Sequence, residues 1–173
     1  MPIYALGDIE PDIHPSAYVH PDAVVIGAVT IGPEASVWPC AVLRGDTGGI
    51  VVGARTSVQD GTVVHTTPMH PTRIGRECVI GHNVHLEGCD IGNGVLIGSG
   101  AVVLNGAVVE AEALVAAGAL VSGSMVVPSR AMALGVPATI KPDAVRPEVQ
   151  IVPGMHVYIE RGRTYRALLR RID

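Results

Sequence analysis

The sequence predicts an all-β solenoid, a parallel β-helix of hexapeptides closed by a C-terminal α-helix. Three observations predict it. Ile, Val or Leu recurs every six residues over most of the 173-residue chain, as in Ile91, Ile97, Val103, Val109, Val115 and Val121. A small residue often follows, and the chain holds 21 glycines. Phe is absent, which suits a narrow interior filled by Val, Ile, Leu and Ala. A period of six fits neither an amphipathic helix nor an alternating strand. It fits short strands that each bury one apolar side chain before a tight corner.

Three hexapeptides make one triangular coil, so the inward residues fall on three flat faces. Counted from Ile13, face one receives Ile13, Ile31, Val52 and Ile74, face two Val19, Val37, Val58 and Ile80, and face three Val25, Leu43, Val64 and Leu86. The register slips three times. Residues are inserted between Asp46 and Val52 and between Thr66 and Arg73, and one is missing between Leu86 and Ile91. Insertions predict loops that leave the prism, and in solenoids such loops cluster on the functional side. About seven coils result, ending near Pro137, so residues 1–140 form the β-helix. Residues 141–173 begin as an extended connector, Lys141 to Pro153, with Pro142, Pro147 and Pro153. From Gly154 onward Tyr158, Tyr165, Leu168, Leu169 and Ile172 form one helical stripe, which is expected to be buried as the helix folds back along the prism.

Composition removes several function classes. The net charge of −4 argues against nucleic acid as a partner. There is no run of about 18 apolar residues for a membrane span. Met1 to Glu10 lacks a basic segment followed by an apolar one, so no secretory signal is expected and the location predicted is cytoplasmic. Cys40, Cys78 and Cys89 are odd in number and lack CxxC spacing. They read as small buried hydrophobes in a reduced compartment.

The register also places the chemistry. Arg44, His65 and Glu87 directly follow the inward residues Leu43, Val64 and Leu86. They should stack in one outward ladder on face three, with neighbours about 4.8 Å apart. Asp60 and His82 form a second ladder on face two, with Gln59 beside Asp60. Side chains on adjacent rungs can close on one metal, because metal–nitrogen and metal–oxygen bonds are about 2 Å.

The residues Arg44-Gly45-Asp46, Val58-Gln59-Asp60-Gly61, His65, Ile80-Gly81-His82 and Gly88-Cys89 resemble the γ-class carbonic anhydrase family. The resemblance runs in one register from about Ile13 to the C-terminal helix. It implies a left-handed β-helix that forms a homotrimer, with metal sites at the three interfaces and a ligand from the neighbouring subunit. His65 and His82 fall on two of the family's three zinc-binding histidines. Arg44, Asp46, Gln59 and Asp60 fall on positions that orient the site and tie subunits together. The third histidine position holds Glu87, and the neighbouring His85 occupies a position the family leaves variable. Two histidines and a carboxylate bind zinc, ferrous iron or another divalent ion. A carboxylate donates a full negative charge, so water on the ion should be less acidic than in a three-histidine site. The prototype's acidic proton-shuttle loop is also missing. The Thr47-Gly48-Gly49 segment is short, and His70 is the one titratable group suited to neutral pH between Thr66 and Arg73.

The expected function is therefore a zinc-dependent lyase of the carbonic anhydrase type, adding activated water to carbon dioxide or another small electrophile. His65, His82 and Glu87 would hold the metal, Arg44 and Asp60 would orient, and Gln59 would hydrogen-bond the hydroxide or substrate. One alternative is a non-catalytic trimeric scaffold or small-ligand carrier. Another is a hexapeptide acyltransferase using acyl-CoA, weakened because Val95 to Ala133 contains no histidine and only Arg130 as a base. His14, His20 and His156 have no ligand spacing and read as solvated.

Overall fold

The computed structural model describes residues 2–173. Its strands are mostly two or three residues long and pair in parallel with the strand one coil away. On face two, Ser57–Val58 lies between Ser36–Val37 and Val79–Ile80. On face three, Val42–Val52 pairs with Val63–His65, which pairs with His85–Glu87, followed by Val102–Val103 and Leu120–Val121. The fold is a left-handed parallel β-helix of about seven coils with a C-terminal helix. Faces one and three belong to one sheet, because Val24–Ile31 and Val42–Val52 run unbroken around the corner between them. At the C-terminal end Thr139–Lys141 turns back antiparallel on Met132–Leu134.

The hexad explains the core. Val25, Leu43, Val64, Leu86, Val103 and Val121 are each 0% exposed, one per coil along face three. Burying a side chain of that size stabilises the fold by about 1.5–3 kcal/mol. Corners need a left-handed backbone. At Gly88, with φ of 58°, a Cβ would also lie 2.6 Å from Asn105 Oδ1 and 2.7 Å from His70 Cβ, so both conformation and space demand glycine there. Buried threonines satisfy backbone groups at other corners. Thr62 Oγ1 donates to the Gly81 carbonyl and accepts from the Val84 amide.

Four expectations are corrected. The insertion between Asp46 and Val52 does not leave the prism as a loop, because it extends Val42–Val52 to 11 residues. Only Thr66 to Arg73 projects, through a turn in which Thr67 and His70 exchange backbone hydrogen bonds of 3.1 and 3.2 Å. Lys141 to Pro153 is not uniformly extended, since α1 (Pro147–Gln150) and α2 (Val152–Leu168) begin before Gly154. The stripe on α2 is also different. Met155, Ile159 and Gly162 are buried, whereas Leu168, Leu169 and Ile172 are exposed. Met155 and Ile159 pack on Val79 of face two, and Gly162 is buried facing Ser36 and Tyr18. Tyr158 and Tyr165 flank this face and join Tyr18 and Trp38 in a cluster with ring centroids 5.1–6.0 Å apart. Finally, Cys78 and Cys89 are buried but Cys40 is exposed, since it stands at a corner with φ of 60°.

Candidate functional site

Strand register brings Arg44, His65 and Glu87 onto one outward row of face three, with Arg44 opposite His65 and His65 opposite Glu87. His65 is half-buried between two carboxylates. Its Nε2 lies 3.2 Å from Asp46 Oδ1 and its Nδ1 3.5 Å from Glu87 Oε1. Asp46 also accepts a hydrogen bond from Arg44. Burial pushes the Asp46 carboxyl up, but the hydrogen bonds from Arg44 and His65 outweigh it and hold the group below the usual carboxylate range.

The donor inventory fixes the roles. An ionised carboxylate only accepts, so His65 presents Nε2–H to Asp46. A neutral ring then carries a lone pair on Nδ1, and that lone pair faces Glu87 Oε1, another acceptor. Two electron-rich atoms in this arrangement call for a positive centre between them, a proton or a cation. Two donors on a tetrahedral ion with bonds of about 2.0–2.2 Å lie roughly 3.3–3.5 Å apart. The observed 3.5 Å separation fits, so His65 and Glu87 suit a divalent ion. Glu87 Oε2 is engaged separately, 3.3 Å from His85 Nε2.

Backbone braces hold this row. Thr72 Oγ1 donates to the His65 carbonyl at 2.5 Å and accepts from the Gly88 amide at 2.8 Å. It thereby ties the strand ends that carry His65 and Glu87. Thr47 Oγ1 donates to the Thr66 carbonyl at 3.1 Å, stacking the two insertions beside the row.

Face two carries the other candidates. Asp60 Oδ2 lies 2.9 Å from His82 Nδ1, and Gln59 is buried at 3% exposure. His82 Nε2 is 3.4 Å from the Tyr158 hydroxyl of α2. Burial raises the Tyr158 hydroxyl above its ordinary range, with Arg161 opposing and Asp60 reinforcing. Sequence reading placed Tyr158 only on the helical stripe and did not single out Thr72. Tyr158 is 76 residues from His82, and nothing in a linear pattern joins them.

His82 does not join His65 and Glu87 within one chain. Among the described residues no cluster of three or more His, Cys, Asp or Glu is arranged to hold a metal ion. His70, on the projecting turn, is exposed. A cavity of about 390 Å³ lies elsewhere, between the first coil and the end of α2, lined by Ile13, His14, Tyr18, Tyr165 and Arg166 among others. Among the described residues no helix is long and apolar enough to cross a membrane.

No protein-family model matches the chain. It is 42% identical over 96 residues to the carnitine operon protein CaiE of Escherichia coli O157:H7. That match covers 56% of this chain and 49% of CaiE, so it spans about half the length of the curated relative. Two solved structures match almost throughout. The hexapeptide transferase family protein of Anaplasma phagocytophilum is 34% identical with a TM-score of 0.90, covering 95% of this chain and 98% of that one. A Bacillus cereus protein provisionally named an acetyltransferase is 32% identical with a TM-score of 0.94, covering 96% and 98%. On this near-complete overlap in fold and sequence, the chain belongs to the hexapeptide-repeat, left-handed β-helix family.

Proposed function

We propose that this protein is a trimeric metalloenzyme related to the γ-class carbonic anhydrases, holding one divalent ion per chain with His65 and Glu87 of one subunit and His82 of the next. The observation that carries the reading is the facing pair His65 Nδ1 and Glu87 Oε1 at 3.5 Å, a spacing that two donors on one tetrahedral ion share. Asp46 supports it by accepting a hydrogen bond from His65 Nε2–H, the tautomer that frees Nδ1 for an ion. Asp60 holds His82 Nδ1 in the same way, so the ion would be taken by Nε2 in place of its 3.4 Å contact with the Tyr158 hydroxyl. Arg44 neutralises Asp46, so the charge left on the row is that of Glu87. Gln59, buried beside Asp60, offers an amide to orient a small polar substrate.

When bound, zinc, ferrous iron or another divalent ion supplies an acidified water for addition to carbon dioxide or a similar electrophile, less acidified with a carboxylate donor than with three histidines. Elemental analysis of protein purified with and without oxygen tests the reading. The expected result is about one ion per chain, lost in His82→Ala. Full occupancy in that variant overturns the ligand assignment, and a metal-free wild type favours a non-catalytic carrier.

The names of the two structural relatives favour a second reading, acyl transfer from a CoA thioester. Against it, the one base between Val95 and Ala133, Arg130, is already engaged by Glu112 at 2.6 Å. Binding of acetyl-CoA at micromolar concentration would reinstate that reading.

A further inference from the structure

Along face three the outward row that precedes the site reads Val24, Val42, Val63, His85, Val102 and Leu120, each opposite the next. Five of these six side chains are apolar, and the sixth is an imidazole. That imidazole stands on the rung of Glu87, two residues before it, with Nε2 3.3 Å from Glu87 Oε2. A valine would suit the row better, so the exception asks for a reason outside the row. The reason on the page is Glu87. Its ion-pair-length contacts are to the two histidines, His65 on one oxygen and His85 on the other.

We propose that His85 is a positioning residue that donates Nε2–H to Glu87 Oε2 and so presents Glu87 to the metal through Oε1 alone. The proposal rests on the metal reading above and deepens it. An ionised carboxylate has two equivalent oxygens and can grip an ion with one or both. A donor on Oε2 biases that choice, because the His85 hydrogen bond takes one lone pair of Oε2 and holds the carboxylate's orientation. Single-oxygen binding leaves a coordination position open for substrate, which a carboxylate using both oxygens would fill. An imidazole ligates through a single nitrogen and has no such choice, so this device serves a carboxylate.

The test uses the full-length protein loaded with cobalt(II), whose visible bands are intense at low coordination number and weaken as it rises. His85→Val completes the apolar row and should leave the fold intact, verified by an unchanged melting temperature. The expected result is a cobalt affinity lowered about tenfold and weakened visible bands, with both recovered in His85→Gln, which keeps an N–H donor. A wild-type spectrum and affinity in His85→Val overturn the proposal. A second measurement does not depend on metal. Imidazole nitrogen NMR of the metal-free protein should show His85 as the Nε2–H tautomer, with that signal shifted by Glu87→Ala. An Nδ1–H tautomer, or a signal indifferent to Glu87→Ala, also overturns it. Failure of the wild type to take up cobalt overturns the metal reading, while the tautomer still decides whether His85 holds Glu87.

Discussion

Replacing Glu87 by histidine alters the charge of the site by one unit without disturbing the coil, because position 87 faces outward beside the inward Leu86. Glu87→His should retain its metal and gain carbon dioxide hydration at neutral pH, with the pH profile moved downward. Stopped-flow rates in strong buffer check this, since no acidic shuttle loop is present to carry protons. A natural protein that matches or exceeds the variant at neutral pH contradicts the role given to Glu87. The buried thiols make a separate prediction. Burial pushes Cys78 up to about 11 and Cys89 up to about 12, and burial with help from Tyr165 pushes Tyr18 to about 12. Unfolded, these groups ionise from about 8.5 for thiols and about 10 for tyrosine. The folded chain therefore binds more protons above about pH 8.5, and the stability from these groups is lost as pH rises through 11 to 12. A denaturation midpoint that falls steadily on the alkaline side is expected. A thiol reagent should modify Cys40 alone until the protein unfolds, and earlier labelling of Cys78 or Cys89 contradicts the core described.

At the scale of elements, α2 is the part whose packing can be tested independently of the coils. Ile159, 8% exposed, contacts Val79 and Met155, so Ile159→Ala should cost about 2–4 kcal/mol in chemical denaturation. Gly162→Ala should go the other way. A Cβ there meets Ser36 Cβ at 3.4 Å and Tyr18 Cβ at 3.9 Å, which is ordinary contact, and alanine within a helix gains about 0.5–1 kcal/mol over glycine. Loss of stability in Gly162→Ala would show a closer approach than described. These two positions also show where sequence patterns failed. The six-residue period located the inward residues from Val19 through Ala133, all buried, because every coil repeats one geometric demand. The helix repeats none. Counting apolar bulk chose Tyr158, Tyr165, Leu168, Leu169 and Ile172, whereas the face of the helix that is buried carries Met155, Ile159 and Gly162. Beyond Leu168 the chain turns extended at Leu169, so the last leucine and isoleucine leave the helical face. The ladder of Arg44, His65 and Glu87 was legible for the same reason as the core, since register fixes neighbours across rungs. The contact of His85 with Glu87 was not, because alternation says that a side chain points outward without saying which oxygen it meets.

At the scale of the whole molecule, the proposed site draws on more than one chain. It presents Val51, Val63, Val126 and Val157 at 37–49% exposure and keeps His82 apart from His65 and Glu87. A trimer would cover apolar outer faces and bring the third donor across an interface. Light scattering at micromolar concentration should report three chains, and a monomer contradicts both the assembly and the shared site. Subunit mixing tests the central claim most directly. Chains carrying His65→Ala and chains carrying His82→Ala should each bind no metal alone. Co-assembled in equal amounts, they place an intact His65 with Glu87 opposite an intact His82 at about a quarter of interfaces. Elemental analysis of the mixed trimers should then recover metal at that fraction of wild-type content. No metal in the mixed trimers, with a fully loaded wild type, would place the whole site within one chain and contradict the account.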